Sequence, residues 1–176
     1  MKFDSLYESL LLELFDSQAS TETKWKSNDD IFALKHSTTF EASNGRTYVL
    51  YAAHYPLEEI LNEEEIDALP DGIQYLMGSV FIENYEITFE DKGIKKKSEK
   101  IGITNVGGAA EVFGKVINLI RAFLKKNKVK LLYFAAKEPS RIKLYERLTK
   151  TLAPEGRFKT FITEGNKNET IFICYK

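Results

Sequence analysis

The stretch IGITNVGGAA at residues 101–110 decides the fold. A short apolar run leads into a turn that contains glycines, and this turn opens a strongly periodic helix that runs to about Lys126. The helix leads to residues 129–136, a second and almost wholly apolar run. Strand, helix and strand in this order predict one βαβ unit whose two strands lie parallel.

The turn that opens the helix is a candidate binding site for an anion. The first backbone N–H groups of a helix have no partner within the helix, so they can hold a phosphate. The candidate residues are Thr104, Asn105, Val106, Gly107, Gly108 and Ala109. The same short glycine motif also suits a tight turn without a ligand, so both alternatives stay open.

The composition is that of one folded domain. A chain of 176 residues is long enough for one complete core, and an aromatic share of 12% favours a packed interior over disorder. The 25 basic and 26 acidic residues nearly cancel, which removes any global attraction for nucleic acid or an anionic membrane. We therefore expect no nucleic-acid partner.

The cysteine content and hydropathy predict a compartment. Cys174 is the single cysteine, so the chain can form neither an internal disulfide nor a cysteine-based zinc site. This favours a reducing environment. No apolar run reaches about eighteen residues, the length of a membrane helix, and the N-terminus lacks the cleavage site of a signal peptide. We expect a cytoplasmic protein with no metal and no membrane contact.

Residues 1–30 are predicted to precede a single domain at residues 31–176. The first fifteen residues place apolar side chains at helical spacing and so predict an amphipathic helix. This helix either packs on its own domain or docks into a groove of another protein, which makes residues 1–15 a candidate protein contact. Residues 17–30 are polar and predict a loose connector with Trp25 as an anchor.

The dipeptide Asn44-Gly45 predicts a two-residue hairpin turn between two strands. A two-residue turn pairs Ser43 with Arg46, and in that register His36 and His54 face opposite sides of the sheet. Such an arrangement disfavours a metal site built from the two histidines. A three-residue loop would shift the register and reopen that question.

The rest of the chain completes a mixed fold. We predict an acidic surface helix at 57–69, an extended segment at 75–90, a helix from Pro139 that ends before Pro154, and a closing hairpin within 157–175. Residues 131–136 show no alternation, as is typical of a strand covered on both faces, and they are predicted to form the central strand.

This order of elements resembles the GNAT family of acyl-CoA-dependent N-acyltransferases over about residues 33–175. In that family the turn before the long helix reads Gln/Arg-x-x-Gly-x-Gly/Ala, and its backbone amides bind the coenzyme A pyrophosphate. Gly107 and Ala109 fit the two small positions, and Thr104 stands where the Gln or Arg would be. The resemblance implies acetyl-CoA as the cofactor. It also implies an α+β fold with a mixed, largely antiparallel sheet, a central parallel βαβ unit and flanking helices.

The later helix is similar to the family pattern Asn-x-x-Ala-x-x-Leu-Tyr-Glu-x-Leu-Gly-Phe through Leu144, Tyr145, Glu146 and Leu148. In many members this tyrosine protonates the departing thiolate, so the resemblance implies that Tyr145 is catalytic. Glu138 stands in place of the Asn, and Arg141 in place of the Ala. The general base is not identified by any spacing, and the candidates are Glu83, Glu86, Glu90 and His54.

Two functions from different classes remain open. The first is a GNAT-fold enzyme that binds acyl-CoA and transfers an acetyl group to an unidentified amine. The second is a non-catalytic GNAT-like module that docks through residues 1–15. Residues 136–145 also resemble uncharacterised proteins of tailed bacteriophages, which implies a phage-encoded protein in the host cytoplasm or the virion. Fold alone does not choose between the two functions.

Overall fold

A seven-stranded mixed sheet forms the centre of the computed structural model, which describes residues 24–30, 33–43, 45–77, 84–93 and 109–176. The strands are β1 (Lys26–Asp30), β2 (Ala33–Glu41), β3 (Thr47–Ala53), β4 (Asn84–Asp91), β5 (Leu131–Ala136), β6 (Lys159–Gly165) and β7 (Glu169–Tyr175). Their order in the sheet is β1-β2-β3-β4-β5-β7-β6. All neighbours are antiparallel except β4 and β5, which are parallel. The predicted α+β class with a largely antiparallel sheet is confirmed.

Helices cover both faces of the sheet. Within the described residues these are a 3-10 turn (Leu57–Glu59), α1 (Glu63–Asp67), α2 (Asp71–Met77), α3 (Ala109–Lys126) and α4 (Pro139–Gly156). The helices α3 and α4 bury one face, where Leu50, Ile87 and Phe134 join the core. Residues of the 3-10 turn and of α2 cover part of the other face, against Tyr133 and Ile171. No helix in these residues has the length and apolarity needed to cross a membrane.

The long helix α3 has the bounds that the periodicity predicts. Its buried side chains include Val112, Val116 and Ile120, which recur every four residues along one face. Two lysines lie in the last turn, where the helix dipole favours cations. Strands β4 and β5 are parallel, with helix α3 between them in the chain. The first strand predicted for the βαβ unit, at residues 101–103, lies outside the described residues.

The turn between β2 and β3 is one residue longer than predicted. The N–H of Ala42 donates to the carbonyl of Arg46 at 2.9 Å, so Ser43 does not pair with Arg46. Gly45 has φ of 75°, a left-handed conformation in which a side chain would be strained. The prediction of a two-residue turn was wrong because one glycine with positive φ suits a three-residue loop as well.

The shifted register changes the surroundings of the histidines. His36 lies opposite Ala52 and its ring packs 5.2 Å from that of Phe123 on α3. His54 lies beyond the end of β3, and its Nδ1 is 3.0 Å from the carbonyl oxygen of Asn84. In the part of the chain that the structure describes, no group of three metal-ligating side chains comes together.

The acidic segment predicted as one helix is divided into short pieces. Asn62 and Glu65 cap α1 reciprocally, because each side chain accepts the other's backbone N–H, at 2.9 and 2.7 Å. A second helix, α2, then follows Pro70, whose carbonyl accepts from the N–H of Ile73 at 2.8 Å. This helix includes residues 75–77, which were predicted to be extended. Proline favours the start of a helix as readily as a turn.

Two other boundaries differ from the prediction. Helix α4 continues past Pro154 to Gly156 and ends at Arg157, which is left-handed with φ of 56°. A proline in the last turn removes only one hydrogen bond, so the helix can contain it. The middle of the sheet is β4, and β5 is the interior strand beside it.

The polar residues before position 31 contribute to the sheet. Lys26–Asp30 form β1 and pair with β2, although they were predicted to be a loose connector. Their sequence KSNDD has little intrinsic preference for strands, so the pairing with β2 overrides propensity. Trp25 packs on Phe123 with ring centroids 4.9 Å apart, which confirms its predicted role as an anchor. The helix predicted within residues 1–15 lies outside the described residues.

Replacing Trp25 by alanine should lower the free energy of unfolding by about 2 kcal/mol, because a half-buried indole loses its packing on α3. Urea unfolding measures this change. Lys24→Ala, an exposed neighbour, is the control and should have almost no effect. Equal stability of the two variants would show that Trp25 does not anchor the segment.

Candidate functional site

The two parallel strands pair over three residues only. Asn84, Tyr85 and Glu86 of β4 lie opposite Leu131, Leu132 and Tyr133 of β5. Strand β4 continues to Asp91 and β5 to Ala136, yet no further pair joins them within the described residues. Their backbone pairing therefore ends at Glu86, and we call the unpaired stretch beyond it, at the carboxyl ends of the two strands, the gap. In sheets with parallel strands, ligands bind at this end.

The first turn of α3 lies at the same end of the sheet. Glu111 in this turn accepts the backbone N–H of Ser43 at 3.0 and 3.1 Å and also the Ser43 hydroxyl. Lys115 donates to the carbonyl of Glu41 at 2.7 Å and pairs with Glu111. These bonds fix the start of α3 against the turn between β2 and β3. Hydrogen bonds from Lys115 and then Ser43 lower the pKa of Glu111.

The predicted ligand turn is described at its last residue only. Ala109 is the first residue of α3, which is where the sequence places the start of the helix. The other five candidates, Thr104, Asn105, Val106, Gly107 and Gly108, lie outside the described residues.

Tyr145 lies beside the gap between the strands. It is 1% exposed on α4, and its ring contacts Phe89 of β4 and Phe134 of β5 at centroid distances of 6.5 and 5.2 Å. Burial raises the pKa of the Tyr145 phenol, while the charge of Arg141 opposes that increase. The phenol is protonated at neutral pH, as tyrosines ordinarily are, and its raised pKa makes it a weaker acid than an exposed tyrosine.

Glu86 lies at the last paired position, on the opposite face of the sheet from Tyr145. Tyr85 and Ile87 on either side of it point into the core beneath α3. Burial raises the pKa of the half-buried Glu86 carboxyl, with a further contribution from Glu169, and Lys35 opposes the increase. A carboxyl with a raised pKa is a better proton acceptor near neutral pH than an ordinary one.

Glu86 differs in its position from the other three candidates for the general base. Glu90 lies farther along β4, past the paired residues. His54 contacts a backbone carbonyl, and Glu83 lies outside the described residues. The strand period shows that Glu86 faces away from the main core, but neither its burial nor its place beside the gap follows from the sequence.

Two tyrosines share the face of the sheet on which Glu86 lies: Tyr133, opposite it on β5, and Tyr51 on β3. The hydroxyl of Tyr133 donates to the carbonyl of Tyr55 at 2.9 Å. Burial, and to a lesser extent the charge of Glu86, raise the pKa of Tyr133. The ammonium of Lys35 lies 3.9 Å from the ring centroid of Tyr51. This surface combines carboxylates with aromatic rings, and both attract an organic cation such as a protonated amine.

Comparison of the chain with protein-family models, with curated proteins and with solved structures gives no match.

Proposed function

We propose that this protein binds an acyl-CoA through residues 104–109 and transfers the acyl group, in the simplest case acetyl, to an amine. The proposal takes the chain to be a GNAT-like acyltransferase. The observation that carries it is the gap between β4 and β5, with Tyr145 packed against both strands beside it. The start of α3 at the same end supports a coenzyme A site there.

In the proposed reaction the nitrogen of the amine attacks the carbonyl carbon of the thioester, and the bond between carbon and sulfur breaks. Glu86 accepts the proton that the amine loses. Tyr145 donates its proton to the departing thiolate. The β4 edge beyond Glu86 does not pair with β5 in the described residues, so its backbone N–H groups can stabilise the negative oxygen of the intermediate.

The surroundings of Glu86 support its proposed role. Burial raises the pKa of its carboxyl, as suits a base, whereas burial also raises the pKa of the Tyr145 phenol and makes it a weaker acid than an exposed tyrosine. The two groups lie on opposite faces of the sheet.

Replacing Gly107 by tryptophan should abolish the binding of acetyl-CoA, because a large side chain would block the approach of a pyrophosphate to the backbone. Isothermal calorimetry measures this, with micromolar affinity expected for the natural sequence. Lys167→Trp adds the same side chain in the exposed turn between β6 and β7 and should bind normally. The absence of binding to the natural sequence at millimolar acetyl-CoA would refute the proposal.

The alternative of a non-catalytic module that docks through residues 1–15 depends on a segment outside the described residues. No described contact favours it.

A further inference from the structure

Arg141 is a buried cation in an unfavourable place. It lies in the first turn of α4, three residues after the N-cap Glu138, where the helix dipole is positive and disfavours another positive charge. The residue is 9% exposed and its side chain 11%, so most of the side chain is removed from water. Both effects make the site favourable for an anion.

The described contacts satisfy this guanidinium poorly. Its Nη1 is 3.3 Å from a carboxylate oxygen of Glu138, which is longer than a charge-assisted hydrogen bond. The Glu138 side chain is 49% exposed, so water screens the pair. A guanidinium has five N–H donors in a planar fork that matches a carboxylate. Among the described residues, Glu138 is the acid that contacts this guanidinium, and the contact is a long one.

The position of Arg141 connects it with the proposed reaction. Arg141 and Tyr145 are one helical turn apart and share the buried face of α4. The charge of Arg141 acts on the Tyr145 phenol, and Glu86 and Glu138 are the acids that act on the same phenol. The guanidinium therefore lies on the same side of the sheet as the proposed acid Tyr145, one helical turn away from it.

We propose that Arg141 binds a carboxylate carried by one of the two substrates; this inference rests on the proposed acyl transfer. The carboxylate belongs either to the acyl group, as in a dicarboxylic acyl-CoA, or to the acceptor, as in an amino acid. In both cases two parallel N–H···O bonds replace the long contact to Glu138. Without substrate, Glu138 pairs weakly with Arg141. The substrate carboxylate then displaces Glu138.

Calorimetry with matched probes distinguishes the two sources. Succinyl-CoA and acetyl-CoA differ by one carboxylate on the acyl group, and L-alanine and L-alaninamide differ by one on the acceptor. Free succinate and succinamide test the anion site without coenzyme A. We expect the carboxylate to tighten binding about tenfold or more in one of the two substrate pairs. Arg141→Gln should remove this preference, whereas Arg147→Gln at an exposed position of the same helix should retain it.

A second variant keeps the test valid if Arg141→Gln does not fold. Glu138→Gln removes the competing carboxylate and should increase the affinity for succinate. If Arg141 and Glu138 formed only a structural pair, Glu138→Gln would lower the melting temperature and bind no succinate.

The outcomes separate this inference from the acyl-transfer proposal. Binding of acetyl-CoA without a carboxylate preference in any pair would overturn the role of Arg141 and leave the acyltransferase standing. Succinate binding that depends on Arg141, with no binding of either CoA ester, would support the anion site and refute acyl transfer. No binding of any probe would overturn both.

Discussion

Replacing Asp91 by alanine is expected to lower the free energy of unfolding by about 3 kcal/mol. The Asp91 side chain is fully buried at the end of β4. One of its oxygens lies 2.7 Å from Nη1 of Arg46 and the other accepts the N–H of Gly93 at 2.8 Å. Alanine leaves both donors without this acceptor. This value is at the lower end of the losses seen when one partner of a buried ion pair is removed. The Arg46 side chain is 31% exposed, so water can solvate it in part.

Urea unfolding measures this loss, with Asp67→Ala at an exposed position of α1 as the control. Asp67→Ala should change the free energy of unfolding by less than about 0.5 kcal/mol. In a double-mutant cycle, Arg46→Met should lower the free energy of unfolding much less in the Asp91→Ala variant than in the natural protein. Additive losses would show that the ion pair contributes little.

Replacing Glu86 by glutamine should lower the rate of acyl transfer by about a hundredfold, because the proposed base is removed while the shape of the side chain is kept. Release of the coenzyme A thiol in the presence of a panel of primary amines measures the rate. Glu90→Gln, farther along the same strand, is the matched control and should retain most of the activity. Equal rates in the two variants would remove Glu86 from the mechanism.

The same variant has a second effect, on stability. The pKa of Glu86 is raised above its ordinary value of 4.5 in the folded protein, so the folded state binds this proton more tightly than the unfolded state does. The stabilisation that this tighter proton binding gives to the folded state is complete at pH values below the ordinary pKa. It is lost as the pH rises through the raised pKa. Glu86→Gln should therefore be more stable than the natural protein above this window and should lose the corresponding pH dependence. Thermal unfolding at pH 4 and pH 7.5 tests the sign.

The elements with long, regular patterns could be predicted from the sequence. Helix α3 follows from periodicity, since its apolar stripe recurs along its whole length. The closing hairpin follows from two short runs rich in strand-forming residues with polar residues between them. Strand β1 could not be predicted, because its polar residues are held by pairing with β2 rather than by their own preference. The register at Gly45 was missed because loop length, and not the glycine alone, determines the pairing.

The candidate site was predictable in part. The resemblance suggests Tyr145 as a catalytic residue, which stays a prediction, and the structure places its ring against both parallel strands. The burial of Glu86 and Arg141 could not be predicted, since each depends on how residues distant in the chain pack around a single side chain. In the sequence, Arg141 only differs from the Ala of the pattern that the helix resembles. The structure adds that Arg141 is buried and pairs with Glu138.

The short pairing between β4 and β5 also bears on how the molecule unfolds. Backbone hydrogen bonds join the strands β1 to β4 strongly to one another, and β5 to β7 likewise, but three paired residues are all that connects these two groups in the described sheet. The apolar core beneath α3 and α4 includes residues from both groups. Cooperativity between the two halves therefore depends on side-chain packing under these helices more than on the sheet itself.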